Sequence, residues 1–216
     1  RPTPLVPKYN TSVVDVLKTD WLTTGPKVSE FESEFANVVG ATEAVSVSSG
    51  TAALHASMYA LEVGIGDEVI LPAITFAATA NCILYQGGTP VFADVDSKNL
   101  LLDINKLESK ISSNTKAIVA VDYAGHPCDY DALRNLADKH NIALVADACH
   151  SLGGMFGERS VGSLADINAF SFHPVKAIAC GEGGMITMSD KYLAEKVRAF
   201  RNHGITTDHH YRSTKG

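Results

Sequence analysis

Short apolar, β-rich runs alternate with stretches of helical spacing along almost all of the 216 residues, and this alternation constrains the fold more than any other feature. A strand followed by a helix and another strand builds a parallel sheet whose crossovers cover both faces. The predicted class is therefore α/β: a three-layer α/β/α arrangement around a mostly parallel seven-stranded sheet. Candidate strands are Ala44 to Val47, Glu68 to Leu71, Pro90 to Ala93, Ala117 to Val121, Ala143 to Ala146, Ile167 to Ser171 and Gly184 to Met188. Several are unbroken apolar runs, as strands buried on both faces should be. Helical spacing joins Val28, Phe31, Phe35 and Val38, then Ile104, Leu107 and Ile111 behind the cap candidate Asp103, then Leu133, Leu136 and His140 behind Asp129. Lys191 to Arg201 also reads as a helix. The last two strands are joined by a Gly-rich connection too poor in helix formers for a crossover, which predicts that one of them runs antiparallel.

Composition narrows the function. With 45% hydrophobic and 19% charged residues the chain can bury a core, which excludes a disordered or fibrous protein. Eighteen Lys and Arg against 24 Asp and Glu give a net charge of −6, so no basic footprint for nucleic acid is expected. No run approaches the roughly 20 apolar residues of a membrane helix. The opening Arg1-Pro2-Thr3-Pro4 lacks the order of a signal peptide, so the expected compartment is the cytoplasm. Cys82, Cys128, Cys149 and Cys180 include no Cys-x-x-Cys pair and are expected to be reduced thiols, with no metal site. The segment 206–216 is polar and His-rich, and is expected to be a tail that leads onward to a further element. Within it, His209 and His210 have no carboxylate or cysteine at metal spacing and read as solvated.

Ligands of open α/β sheets sit beyond the carboxyl ends of the strands, so the residues just after each apolar run are the ones to inspect. Ser48-Ser49-Gly50-Thr51-Ala52-Ala53-Leu54 is a small-residue turn into a helix, whose free N–H groups can seat a phosphate; a plain tight turn is the alternative. Asp147-Ala148-Cys149-His150 puts a carboxylate at the sheet mouth, as a helix cap or as the partner of a protonated heterocycle. Ser171-Phe172-His173-Pro174-Val175-Lys176, ahead of Gly181-Glu182-Gly183-Gly184, places a lone lysine in a Gly-rich segment. That lysine is either a surface residue or an amine that forms Schiff bases with carbonyls. Gly64-x-Gly66-Asp67 precedes a strand rather than a helix and reads as a turn.

A phosphate seat, a carboxylate and a Schiff-base lysine at successive strand ends are the parts that hold pyridoxal phosphate. In that arrangement the turn anchors the phosphate, Asp147 keeps the pyridine nitrogen protonated and Lys176 binds the aldehyde. Phe76, at another strand end in Pro72-Ala73-Ile74-Thr75-Phe76, either covers the ring or is a core residue.

Trp21-Leu22-Thr23-Thr24-Gly25-Pro26, Ser49-Gly50-Thr51-Ala52-Ala53-Leu54, Thr75-Phe76-Ala77-Ala78-Thr79-Ala80-Asn81, Asp147-Ala148-Cys149-His150 and Ser171-Phe172-His173-Pro174-Val175-Lys176 resemble the DegT/DnrJ/StrS family of sugar aminotransferases. The resemblance runs from about Leu17 to Ile205. It implies the large, pyridoxal-phosphate-binding domain of a fold-type-I aminotransferase over residues 1–205, with a small C-terminal domain absent from this chain. It also implies that Thr51, Ala52 and Ser171 hold the phosphate, that Gly50 belongs to the cofactor-binding turn, that Phe76 stacks on the ring and that Asp147 meets the ring nitrogen. His150, where many members carry Gln, would lie near the ring hydroxyl, and Lys176 would form the Schiff base. His173 belongs to the motif and is expected to make a structural hydrogen bond in a tight loop.

The expected activity is transfer of an amino group, with L-glutamate as donor, to a nucleotide-linked keto-deoxysugar, by a homodimer. Phe172-His173-Pro174-Val175-Lys176 together with Phe200-Arg201-Asn202-His203-Gly204-Ile205 looks most like members that aminate the 4-keto position of UDP-4-keto-6-deoxy-N-acetylhexosamines for surface glycans. Three rivals differ by feature. A pyridoxamine-dependent sugar dehydratase would carry histidine in place of Lys176, a regulatory descendant would not need Lys176 and Asp147, and a dinucleotide-binding module would need a different glycine spacing.

Overall fold

The computed structural model describes residues 7–205, so the expected tail over 206–216, with its His209–His210 pair, lies outside the described residues. In chain order the elements are α1 (Pro7–Leu17), α2 (Pro26–Val39), β1 (Glu43–Val47), α3 (Gly50–Ala60), β2 (Glu68–Pro72), α4 (Ala77–Tyr85) and β3 (Thr89–Ala93). There follow α5 (Ile104–Leu107), β4 (Thr115–Val121), α6 (Tyr130–His140), β5 (Ala143–Asp147), a small hairpin of β6 (Met155–Phe156) and β7 (Arg159–Ser160), β8 (Ile167–Ser171), β9 (Gly184–Met188) and α7 (Lys191–Arg201). All seven candidate strands are present, and they form one sheet in the order β1-β9-β8-β5-β4-β2-β3.

The β2, β3, β4, β5 and β8 pairings are parallel, whereas β9 is antiparallel to both of its neighbours, β1 and β8. The helix-poor connection between β8 and β9 is the cause, because a chain without a crossover helix must turn back. The sheet feeds two cores, one on each face. Ile118 and Ala120 of β4 pack on the layer of α2, α5 and α6, and Ala117 and Val119 pack on the layer of α3, α4 and α7. Asp103 and Asp129 cap α5 and α6, accepting from the amides of Asn105 and Ala132. Helix α5 stops at Leu107 and gives way to a 3₁₀ turn, so Ile111 is extended rather than helical. Among the described residues, no helix is long and apolar enough to cross a membrane.

The side of the sheet that carries α2 fixes the mouth of β8. Phe170 and Phe172 are both buried and meet Phe35 at ring centroid distances of 5.2 and 5.6 Å. Because strand side chains alternate, Ser171 between them must face the other way, toward the start of α3.

Candidate active site

Helix α3 begins directly at the mouth. Ser49 caps it, its Oγ accepting from the Ala52 amide at 3.1 Å, which leaves the Gly50 and Thr51 amides as first-turn donors without an intrahelical acceptor. Position 50 admits only glycine without a shift, since a Cβ there would lie 2.8 Å from Ser171 Cβ and 2.9 Å from Cys149 Sγ. A side chain at Gly184 would likewise run into the Ser49 carbonyl. The start of α3 is thus pressed against the ends of β8 and β9, and its amides open beside the Ser171 hydroxyl. Ser171 Oγ itself accepts from the His173 amide at 3.3 Å.

Asp147 ends β5, and its carboxylate is 6% exposed. Its Oδ2 accepts from Thr79 Oγ1 at 2.7 Å, and its Oδ1 from the Cys149 amide at 3.3 Å. Thr79 sits on α4 and shares a second 2.7 Å hydrogen bond with Thr75, so a short hydroxyl chain holds the carboxylate from one side. No helix follows Asp147, which rules out the helix-cap reading. The nearby thiols register both burial and its charge: burial first, then Asp147, pushes Cys82 up to about 12 and raises Cys149 as well. Both are neutral, unreactive thiols at physiological pH. No Lys or Arg among the described residues forms an ion pair with Asp147.

Lys176 lies in the loop between β8 and β9. The loop is closed at its base by hydrogen bonds from the Phe172 amide to the Gly183 carbonyl (2.8 Å) and from the Cys180 amide to the Phe172 carbonyl (3.1 Å). Within it, the Lys176 amide donates to the His173 carbonyl at 2.9 Å, and the Val175 amide points at His173 Nδ1 at 3.5 Å. His173 thus has the loop-ordering contact expected of it. Phe76, the residue before α4, is 74% exposed and belongs to neither core, so the core reading is excluded.

These strand ends enclose a cleft of about 680 Å³ whose lining includes Gly50, Thr51, Phe76, Asp147, His150, Ser171 and Lys176. Of the candidate residues, only Ala52 is not in the lining; its amide is engaged by Ser49 instead. Lys176 lines the cleft and is half-buried, so it is not a free surface lysine. Sequence reasoning missed Thr79, whose partner is far away in the chain, and it missed Asp122 and Tyr123. Asp122 follows β4 just as Asp147 ends β5, so the strand-end rule would have found it. Its side chain is wholly buried: Oδ1 accepts from Tyr130 Oη (2.8 Å) and the Cys128 amide (3.0 Å), and Oδ2 from Ser151 Oγ (2.6 Å). Burial pushes the Asp122 carboxyl up from the ordinary carboxylate value, the three donors pull it down and the charge of Asp147 adds to the rise.

A buried carboxylate without a cation, a row of free helix-start amides and an amine in one cleft agree with the pattern of the DegT/DnrJ/EryC1/StrS aminotransferase family, which matches residues 6–216. The chain belongs to that family. It is 45% identical over 194 residues to the spore coat polysaccharide biosynthesis protein SpsC of Bacillus subtilis, covering 90% of this chain and 50% of SpsC. Among solved structures, Spr1654 of Streptococcus pneumoniae, known in PLP and PMP forms, superposes with a TM-score of 0.88 in both, at 35% identity. The PLP form covers 93% of this chain and 56% of Spr1654. DesI, solved in the presence of its TDP-sugar product, gives a TM-score of 0.86 at 39% identity over 92% of this chain and 50% of DesI. The chain spans about half the length of these relatives. The family's cofactor is pyridoxal phosphate, and the residues present fit it: the first-turn amides of α3 and the Ser171 hydroxyl meet at the cleft, where a phosphate could be bound, and buried Asp147 lacks the cation that a protonated pyridine would supply.

Proposed function

We propose that the protein is a pyridoxal-phosphate-dependent aminotransferase that transfers an amino group from L-glutamate to a nucleotide-linked keto-deoxysugar. One observation carries this reading: the buried carboxylate of Asp147 and the amine of Lys176 share a cleft with the amino-terminal amides of α3. Bound there, the cofactor supplies an electron sink for carbanion chemistry next to a substrate nitrogen. The Gly50 and Thr51 amides, the α3 dipole and the Ser171 hydroxyl bind its phosphate. Asp147, oriented by Thr79, holds the proton of the ring nitrogen. Phe76 would cover a face of the ring and His150 would serve its hydroxyl, both residues lining the cleft. Lys176 would hold the cofactor covalently and, when free, would take a proton from the substrate carbon and return it.

The acceptor we favour is a UDP-4-keto-6-deoxy-N-acetylhexosamine destined for a surface glycan. The motif segments from Phe172 to Lys176 and from Phe200 to Ile205 support it, as does the polysaccharide role in the name of SpsC. DesI, with its TDP-sugar product, makes dTDP-linked sugars the main competitor. Residues 1–205 form the cofactor-binding large domain, a C-terminal small domain completes the protein, and two copies form a cytoplasmic homodimer. Lysine at position 176, where a dehydratase would carry histidine, supports amino transfer over dehydration. The test is to incubate the full-length protein with glutamate and a panel of UDP- and dTDP-linked keto sugars. Amino-sugar formation with a UDP-linked 4-keto sugar is expected, and no product with any of them would overturn the reading.

A further inference from the structure

Two loops meet under the cleft floor, one from Asp122 to His126 after β4 and one from Asp147 to Ser151 after β5. Register explains why their carboxylates do different things. Val121 pairs with Asp147 across the two parallel strands, so their side chains point to one face of the sheet and that of Asp122 to the other. Asp147 therefore reaches toward α4 and Thr79, and Asp122 toward α6 and Tyr130. From there Asp122 Oδ2 takes the Ser151 hydroxyl at 2.6 Å, and Ser151 is the residue after His150. A second, independent contact joins the same loops: a Cβ at Gly125, whose φ is +87°, would lie 2.9 Å from the His150 carbonyl oxygen. The neighbouring Ala124 is held at φ 54°, a left-handed conformation that costs a non-glycine residue energy and persists only where its surroundings enforce it. Tyr123 of the first loop and His150 of the second both line the cleft.

A wholly buried carboxylate is an expensive way to fill space, because apolar residues of similar volume would pack there at no desolvation cost. We infer that Asp122 is a positioning residue: through Ser151 it locks the β4 and β5 loops together, so that His150 and Tyr123 are held at the mouth of the cofactor site. This rests on the proposed cofactor-binding reading. The lock is made of hydrogen bonds rather than net charge. An asparagine at 122 keeps an acceptor oxygen for Tyr130 and the Cys128 amide, and offers an N–H to Ser151 Oγ, whose own proton then turns to the Ala148 carbonyl, 3.4 Å away.

The experiment uses full-length protein freed of cofactor and measures two things, pyridoxal phosphate affinity by absorbance titration and amide hydrogen exchange without cofactor. Asp122→Ala should weaken cofactor binding about tenfold, the size of one hydrogen bond to a charged group, and Ser151→Ala by a few fold. Both should speed exchange in residues 123–126 and 148–151 together while leaving β1 and α3 unchanged. Asp122→Asn should restore affinity to within about threefold of the parent. If Asp122→Ala does not fold, Ser151→Ala carries the test. Unchanged affinity and exchange in Ser151→Ala would overturn the lock, as would an Asp122→Asn protein as defective as Asp122→Ala. Failure of the parent protein to bind pyridoxal phosphate would instead strike the proposed function, while the joint change in exchange would still decide whether Asp122 couples the two loops.

Discussion

The two sides of the cleft are built to opposite rules. On the side of β4 and β5, Asp147 is buried, oriented by Thr79 and the Cys149 amide, and backed by the hydrogen bonds of Asp122. On the side of the β8–β9 loop, Val175 is 79% exposed and Ile178 61%, and the backbone-to-backbone hydrogen bonds of residues 173–183 stay within the segment Phe172 to Gly183. The difference suits the two roles proposed for Asp147 and Lys176. A group that stabilises charge gains from being fixed before the reaction, since a prealigned dipole or charge costs no reorganisation. An amine that must be attached, released and reattached needs a segment that few tertiary contacts hold in one place.

Substitutions can break this contrast. The largest effect is expected at Lys176: Lys176→Ala should abolish both the visible absorption of covalently held cofactor and turnover, because attachment and proton transfer belong to one amine. A variant that keeps the band would move the nucleophile elsewhere. Next comes Asp147→Asn, which should leave the cofactor attached but cut kcat by about 10²- to 10³-fold, the scale on which one prealigned electrostatic group acts. Rates near those of the parent would remove Asp147 from its assigned role. Gly50→Ala tests the seam on the fixed side. Its methyl meets Ser171 and Cys149 and should cost about 1–3 kcal/mol of stability by overpacking, read from urea denaturation, with weaker phosphate binding. A neutral result would mean that the seam yields.

The smallest effect concerns pH. The Asp122 carboxyl is raised in the folded protein, chiefly by burial. Its protonated form therefore adds stability that is fully present below the unfolded-state value of about 3.9 and is lost as pH climbs through the folded one. Asp122→Asn has no such group. The stability of the parent relative to that variant should therefore decline as pH rises from below about 4, in urea melts taken across a pH series. A flat difference would show that the hydrogen bonds to Asp122 cancel its desolvation.

The sheet was legible because its strands are short apolar runs buried on both faces, and Asp103, Asp129 and the span Lys191 to Arg201 were readable from capping and spacing. Helices α3 and α4 leave no such stripe. Their small and apolar residues, such as Ala53, Leu54, Ala56, Ser57 and Met58, are buried around most of the helix, so periodicity had nothing to alternate against. The β6–β7 hairpin is two residues per strand and too short for any pattern. At the site, the strand-end rule found Asp147 but was not applied to Asp122. Thr79 could not be found that way, because its hydroxyl matters only through a carboxylate 68 positions later.

The reversal of β9 has a consequence for the route of the chain. Gly184 starts β9 at the cleft, opposite Ser171 and Val47, and Met188 ends it at the far edge beside Glu43. Helix α7 then runs back toward the cleft: Arg198 binds Glu43 at 2.8 Å, and Arg201, at its end, binds the Ser46 carbonyl at 3.1 Å and Glu32 at 2.5 Å. One inverted strand thus changes the parity of the path. With β9 parallel, a helix of this length would finish on the remote side; with β9 inverted, the Arg201 guanidinium reaches back to Ser46, near the end of β1 from which α3 starts.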